Sequence, residues 1–117
     1  MKPLEEQVIT IERALGERMI KHALVVVRSW LNELGEGNAF EQAYHAIYER
    51  NEALFSHWLI MDDAEQDEQL NQLTGEAYRL VDAVYAELRI QRGLSPRMHG
   101  FNGENPQSVM HYFSSCV

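Results

Sequence analysis

The chain has 117 residues, 45% hydrophobic and 24% charged, which suits a single domain with a real core and argues against wholesale disorder. Its net charge of −8 repels phosphate backbones, so nucleic acid is not an expected partner. Five acids crowd into seven residues, Asp62, Asp63, Glu65, Asp67 and Glu68.

In chain order, Pro3 to Leu34 has helical periodicity. Pro3 fits a first-turn position, Glu5 and Glu6 complement the helix dipole, and Leu4, Val8, Ile11 and Leu15 make one stripe. Beyond Gly16 the apolar face widens to Met19, Ile20, Ala23, Leu24, Val26, Val27, Trp30, Leu31 and Leu34, which predicts a central helix with neighbours on two sides. Unbroken, it would run ~45 Å, so a kink or break is expected near Gly16. Arg18, Lys21, Arg28 and Asn32 form its polar edge. Val25 stands among them as a candidate contact with a further helix or subunit.

Gly35-Glu36-Gly37 reads as a helix stop, and Asn38 with Glu41 as a capping-box-like restart. Phe40, Ala43, Tyr44, Ile47, Leu54, Phe55 and Trp58 predict the buried face of a helix to about Ile60, interrupted by Asn51. Asp62 with Glu65 repeats the cap signal and opens a helix to about Arg92, with Leu70, Leu73, Ala77, Leu80, Val81, Val84 and Leu88 as its stripe. Gly93 ends it.

Asn105-Pro106 is a good N-cap and N1 pair. Val109, Met110, Phe113, Cys116 and Val117 then follow helical spacing to the last residue. The expectation is a partial helix, cut in mid-pattern, in an N-terminal fragment of a longer protein. Asn105 to Val117, with Phe101-Asn102-Gly103 before it, resembles a stretch in large uncharacterised proteins of Bacteroides-type bacteria. In those, an N-terminal helical region precedes repeat-like helical sequence. The resemblance implies such a region here and transfers no activity.

Tests for chemistry return little. No histidine has a glutamate three residues before it, so the paired Glu-x-x-His of a ferritin-like di-metal site is absent. Glu41, His45 and Glu49 form an i, i+4, i+8 ladder that could offer metal ligands, but the face opposite Ile47 and Leu54 is simply where solvated charge belongs. The acidic run lacks the alternating ligands and glycine of a calcium loop, and there is no phosphate-binding glycine loop or nucleophile elbow. Arg13, Arg18, Lys21 and Arg28 form the only basic edge, read either as an anion or nucleic-acid contact or, in preference, as salt bridges to Glu17 and to the acidic second half. No apolar run approaches a membrane span. Acid occupies the place of a signal peptide's apolar segment, and Cys116 is alone, so a cytoplasmic protein is expected.

The sequence therefore predicts a single all-α domain over residues 1–117, a three- to four-helix up-and-down bundle with the last helix partial. The expected function is a non-catalytic interaction or scaffolding domain without a cofactor, meeting the rest of its own longer chain, another protein, or a second copy. The candidate surface is Val25, Val109, Met110, Phe113 and Val117. The alternative is a small-ligand or regulatory bundle with a pocket lined by Trp30, Trp58 and the tyrosines.

Overall fold

The wide apolar face of residues 20–34 can be buried only if the chain doubles back on both sides of it. In the computed structural model, which describes residues 4–94, it does. Four helices follow one another, α1 (Leu4–Gly16), α2 (Ile20–Leu34), α3 (Glu41–Ser56) and α4 (Asp63–Gln91), with a short 3-10 turn, Trp58–Ile60, between the last two. The architecture is an all-α up-and-down bundle. The candidate residues Val109, Met110, Phe113 and Val117, and the expected partial helix around them, lie outside the described residues.

Residues 4–34 are two antiparallel helices rather than one. Gln7 near the start of α1 accepts a hydrogen bond from Trp30 Nε1 near the end of α2, at 2.6 Å. The reversal sits two residues beyond the glycine that the sequence pointed to. Arg18 adopts a left-handed φ of 59°. The Met19 N–H returns to the Ala14 carbonyl at 2.8 Å and the Arg18 N–H to Leu15 at 3.0 Å. These are the two bonds of a Schellman ending. The same pair closes α4, where Leu94 returns to Arg89 and Gly93 to Ile90, with glycine in the left-handed place.

Cross-bundle partners give the directions. Lys21 pairs with Glu52 and Arg28 with Glu41, so α2 and α3 are antiparallel. Arg18 meets Asp67 at one end and Glu33 meets Arg92 at the other, so α2 and α4 run parallel. The α2–α4 pair packs most extensively, and α1 and α3 flank it. Its centre is Ile20, Leu24, Val27, Trp30 and Leu31 against Leu73, Ala77, Leu80, Val81, Val84 and Leu88, all at most 2% exposed. The Trp30 and Tyr85 rings lie 6.1 Å apart.

Two starts differ in detail from the sequence reading. Asn38 does not cap through Glu41. Its Oδ1 accepts from the Phe40 N–H and its Nδ2 donates to the Gly35 carbonyl, bracing the loop while α3 begins three residues later. Asp62 does cap α4, accepting from the Glu65 N–H at 2.8 Å, with Asp63 and Glu65 in the first turn favoured by the helix dipole.

A non-glycine residue in the left-handed region costs about 1–2 kcal/mol, against which glycine's extra chain entropy is worth about 0.5–1 kcal/mol. We expect Arg18→Gly to raise stability by about 0.5–1 kcal/mol, read as a higher urea midpoint at unchanged slope. A lower midpoint would mean that the Arg18 side chain, not the backbone closure, holds the reversal.

A candidate functional site at one end of the bundle

The α1–α2 reversal and the α3–α4 connection fall at the same end of the bundle. There the sequence Phe55-Ser56-His57-Trp58-Leu59-Ile60-Met61 is too apolar for one helical stripe, since four consecutive apolar residues cannot share a face. The chain resolves this by ending α3 at Ser56, short of the predicted Ile60, and turning tightly. Trp58 and Met61 pack half-buried against the core. Leu59 and Ile60 point outward, 95% and 82% exposed. Phe55, predicted to be buried, is 49% exposed and stacks on Trp58 at 5.0 Å between ring centroids. The turn is braced by Gln66, whose Nε2 donates to the Trp58 carbonyl at 2.7 Å and to Met61 at 3.3 Å.

Beside Phe55 lies a cleft of about 380 Å³, walled by Arg18, Met19, Ile20, Lys21, His22, Asn51, Glu52 and Phe55. Asn51 is 4% exposed, and its Oδ1 is buried without a hydrogen-bond partner. The break it makes in the α3 stripe was the sequence signal for this site. Leu59 and Ile60 were missed because they had been assigned to a continuous helix.

The basic edge is spent on ion pairs. Arg18 reaches Asp67 at 3.5 Å and Lys21 reaches Glu52 at 2.9 Å. Arg28 grips Glu41 with both terminal nitrogens and lies 5.0 Å over the Tyr44 ring. Glu41 therefore serves Arg28 and lies 3.4 Å from His45 Nε2, while Glu49 is exposed. Among the described residues no group of three or more His, Cys, Asp or Glu is placed to hold a metal ion. Val25 stands 67% exposed on the outer surface of α2, one turn from Lys21 and Arg28.

The two tryptophans do not line one pocket. Trp30 is in the core beside Tyr85, while Trp58 accepts from Gln66, 19 residues earlier on α4 and roughly 28 Å away along its axis. Among the described residues no helix is long and apolar enough to cross a membrane. No family model, no curated protein and no solved structure matches the chain.

The Arg28 and Arg92 guanidinium groups, through their hydrogen bonds, hold the Glu41 and Glu33 carboxyls below the usual carboxylate range, against a smaller opposing effect of burial. A carboxyl whose folded pKa is depressed contributes stability above its unfolded pKa and loses it as pH falls through the folded value. We expect the thermal midpoint to decline below about pH 5, less steeply in an Arg28→Met/Arg92→Met double variant. Equal slopes would show that the pairs do not differ in energy between folded and unfolded chains. A buried amide oxygen without a partner costs about 1–3 kcal/mol, so Asn51→Leu should stabilise the fold by about 1 kcal/mol in urea denaturation.

Proposed function

We propose that this chain is a non-catalytic interaction module that holds a protein partner at the Phe55–Met61 end of the bundle. The observation that carries this is the pair Leu59 and Ile60, exposed side by side on a braced turn instead of in the core. Single exposed apolar side chains are ordinary on any surface. Here two of them adjoin a stacked Phe55–Trp58 pair and an apolar-walled cleft, which is the make-up of an interface centre.

The chemistry around the patch selects the partner. Asp62, Asp63, Glu65, Asp67 and Glu68 border it immediately in sequence, at the exposed start of α4. An apolar anchor flanked by lysine or arginine suits that border, and an anionic lipid surface or a phosphate backbone does not. A symmetric second copy would bring two such acidic borders together. Asn51, whose buried Oδ1 has no hydrogen-bond partner, is among the residues lining the cleft. The resemblance of residues 101–117 to the N-terminal helical regions of large proteins supports a module within a larger assembly.

A second reading, a small ligand with an N–H donor held in the same cleft, is favoured by the buried Asn51 oxygen alone.

Selection of a phage-displayed helical peptide library against the full chain tests the proposal. Binders should combine aromatic or aliphatic anchors with lysine or arginine and perturb amide resonances of residues 18–22 and 51–66. Leu59→Ser/Ile60→Ser should weaken them by about tenfold or more while shifting stability by no more than about 0.5 kcal/mol. No binders, binders that perturb another surface, or a dimer formed through this end would each overturn it.

A further inference from the structure

The cleft beside Phe55 has two walls of different chemistry. One is the start of α2, residues 18–22, and the other is Asn51, Glu52 and Phe55 of α3. A helix begins with N–H groups that have no partner inside it, and it carries partial positive charge there. Helices α1, α3 and α4 answer this with acids in the first turn, Glu5 and Glu6, Glu41, and Asp63 and Glu65. Helix α2 has no acid there, and no side chain caps it. Its first bonds run from the His22 and Ala23 N–H groups to the Met19 carbonyl, at 3.2 and 3.4 Å, and the Ile20 and Lys21 N–H groups stand ahead of them.

Side chains add to that field. Arg18 and Lys21 are cationic, and Glu52 across the cleft is neutralised by Lys21 at 2.9 Å. Arg18 has only a 3.5 Å contact to Asp67, with both side chains exposed. An exposed pair of that length is readily exchanged for a better acceptor. The cleft is a locally positive place on a chain of net charge −8.

The α3 wall makes an independent demand. Asn51 is 4% exposed and its Oδ1 has no hydrogen-bond partner. A buried amide oxygen in that state calls for a donor, and Asn51 lines the cleft through which one can arrive. Met19, Ile20 and Phe55 supply apolar surface beside both polar groups.

A ligand that answers all three demands carries an anion, a neighbouring N–H donor and an apolar group. The end of a peptide chain has these on one residue, as its terminal carboxylate, its last peptide N–H and its side chain. Backbone N–H groups capture terminal carboxylates in a recurring mode of peptide recognition. At about 380 Å³ the cleft is at the small end of ligand sites, which run from about 300 to 1,000 Å³. That suits one terminal residue better than a helix laid lengthwise. An inorganic anion would leave Asn51 unsatisfied, and a neutral amide would leave the α2 terminus so.

We infer that this cleft takes the C-terminal residue of a partner protein, an apolar one. Its carboxylate lies at the Ile20 and Lys21 N–H groups beside Arg18, its N–H donates to Asn51 Oδ1, and its side chain packs on Phe55 and Met19. The inference rests on the protein-partner reading above and names the part of the partner that the cleft holds. The lysine or arginine that suits the acidic border then falls just upstream of the chain end.

The test uses four acetylated tetrapeptides, each of two lysines, an alanine and a last residue of valine, leucine, isoleucine or phenylalanine. They are titrated into the full chain and followed by amide resonances and calorimetry. At least one should saturably shift residues 18–22 and 51–55. Converting its carboxylate to an amide, or methylating its last peptide nitrogen, should weaken binding about tenfold or more. Asn51→Leu and Arg18→Gly, both expected to keep or raise stability, should weaken the unmodified peptide similarly, and in Asn51→Leu the N-methyl group should no longer matter. Leu59→Ser/Ile60→Ser should leave the preference for acid over amide intact, which separates a failure of the Leu59–Ile60 surface from a failure of the cleft. The inference is overturned by no saturable shift from any of the four acids or by equal binding of acid and amide. It is also overturned if N-acetylleucine binds as tightly as the peptide, since the site is then one for a small carboxylate.

Discussion

The fold depends on the burial of α2. Ile20, Ala23, Leu24, Val27, Trp30 and Leu31 cover too much of its circumference for one neighbour, so it must be enclosed by three. That requirement forces the reversal at Glu17–Met19, because α1 must leave antiparallel and alongside. It sets α3 on the opposite flank and brings α4 back parallel to α2 as the long closing element. The apolar contact is non-directional and would tolerate sliding. Register comes from polar groups at its rim. Trp30 must find Gln7, and the Arg28–Glu41 and Glu33–Arg92 pairs fix the ends of α3 and α4 relative to α2. Such surface pairs add little stability individually; their effect here is on alignment.

The helical stripes were legible because burial and periodicity agree wherever a helix has one wet side. Leu4, Val8, Ile11 and Leu15 in α1, and Leu73 to Leu88 in α4, fall where the spacing put them. The Asp62 cap was legible too, since its geometry is local and stereotyped. Where the reading slipped, a local rule met a tertiary demand. Gly16 drew attention as a breaker, but it needs no special backbone angle. The left-handed residue is Arg18, held there by the carbonyls of Ala14 and Leu15. No sequence preference marks an arginine for that position. In the same way Phe55 and Trp58 share helical spacing, yet α3 stops between them and only Trp58 turns inward.

The candidate site was legible only as an anomaly. Asn51 in an apolar stripe and the excess of apolar residues at 58–61 were both visible in the sequence, but neither says which side chain faces out. The basic edge was clearer, because in residues 35–92 twelve acids stand against four arginines and oppositely charged helices tend to pair. Three of its four members are in ion pairs with that stretch.

Helix α4 has 29 residues, against 13 to 16 for the other three. Its first buried residue is Leu73, so about ten residues of backbone run ahead of the core, tied down by the Asp62 cap, the Gln66 brace and the exposed Arg18–Asp67 pair. Amides in that overhang are expected to open in local events of lower free energy than those of the core stretch Leu73 to Leu88. The molecule thus has two tiers of cooperativity. The turn bearing Leu59 and Ile60 belongs to the looser one, so it can reshape around whatever it meets without disturbing the interior.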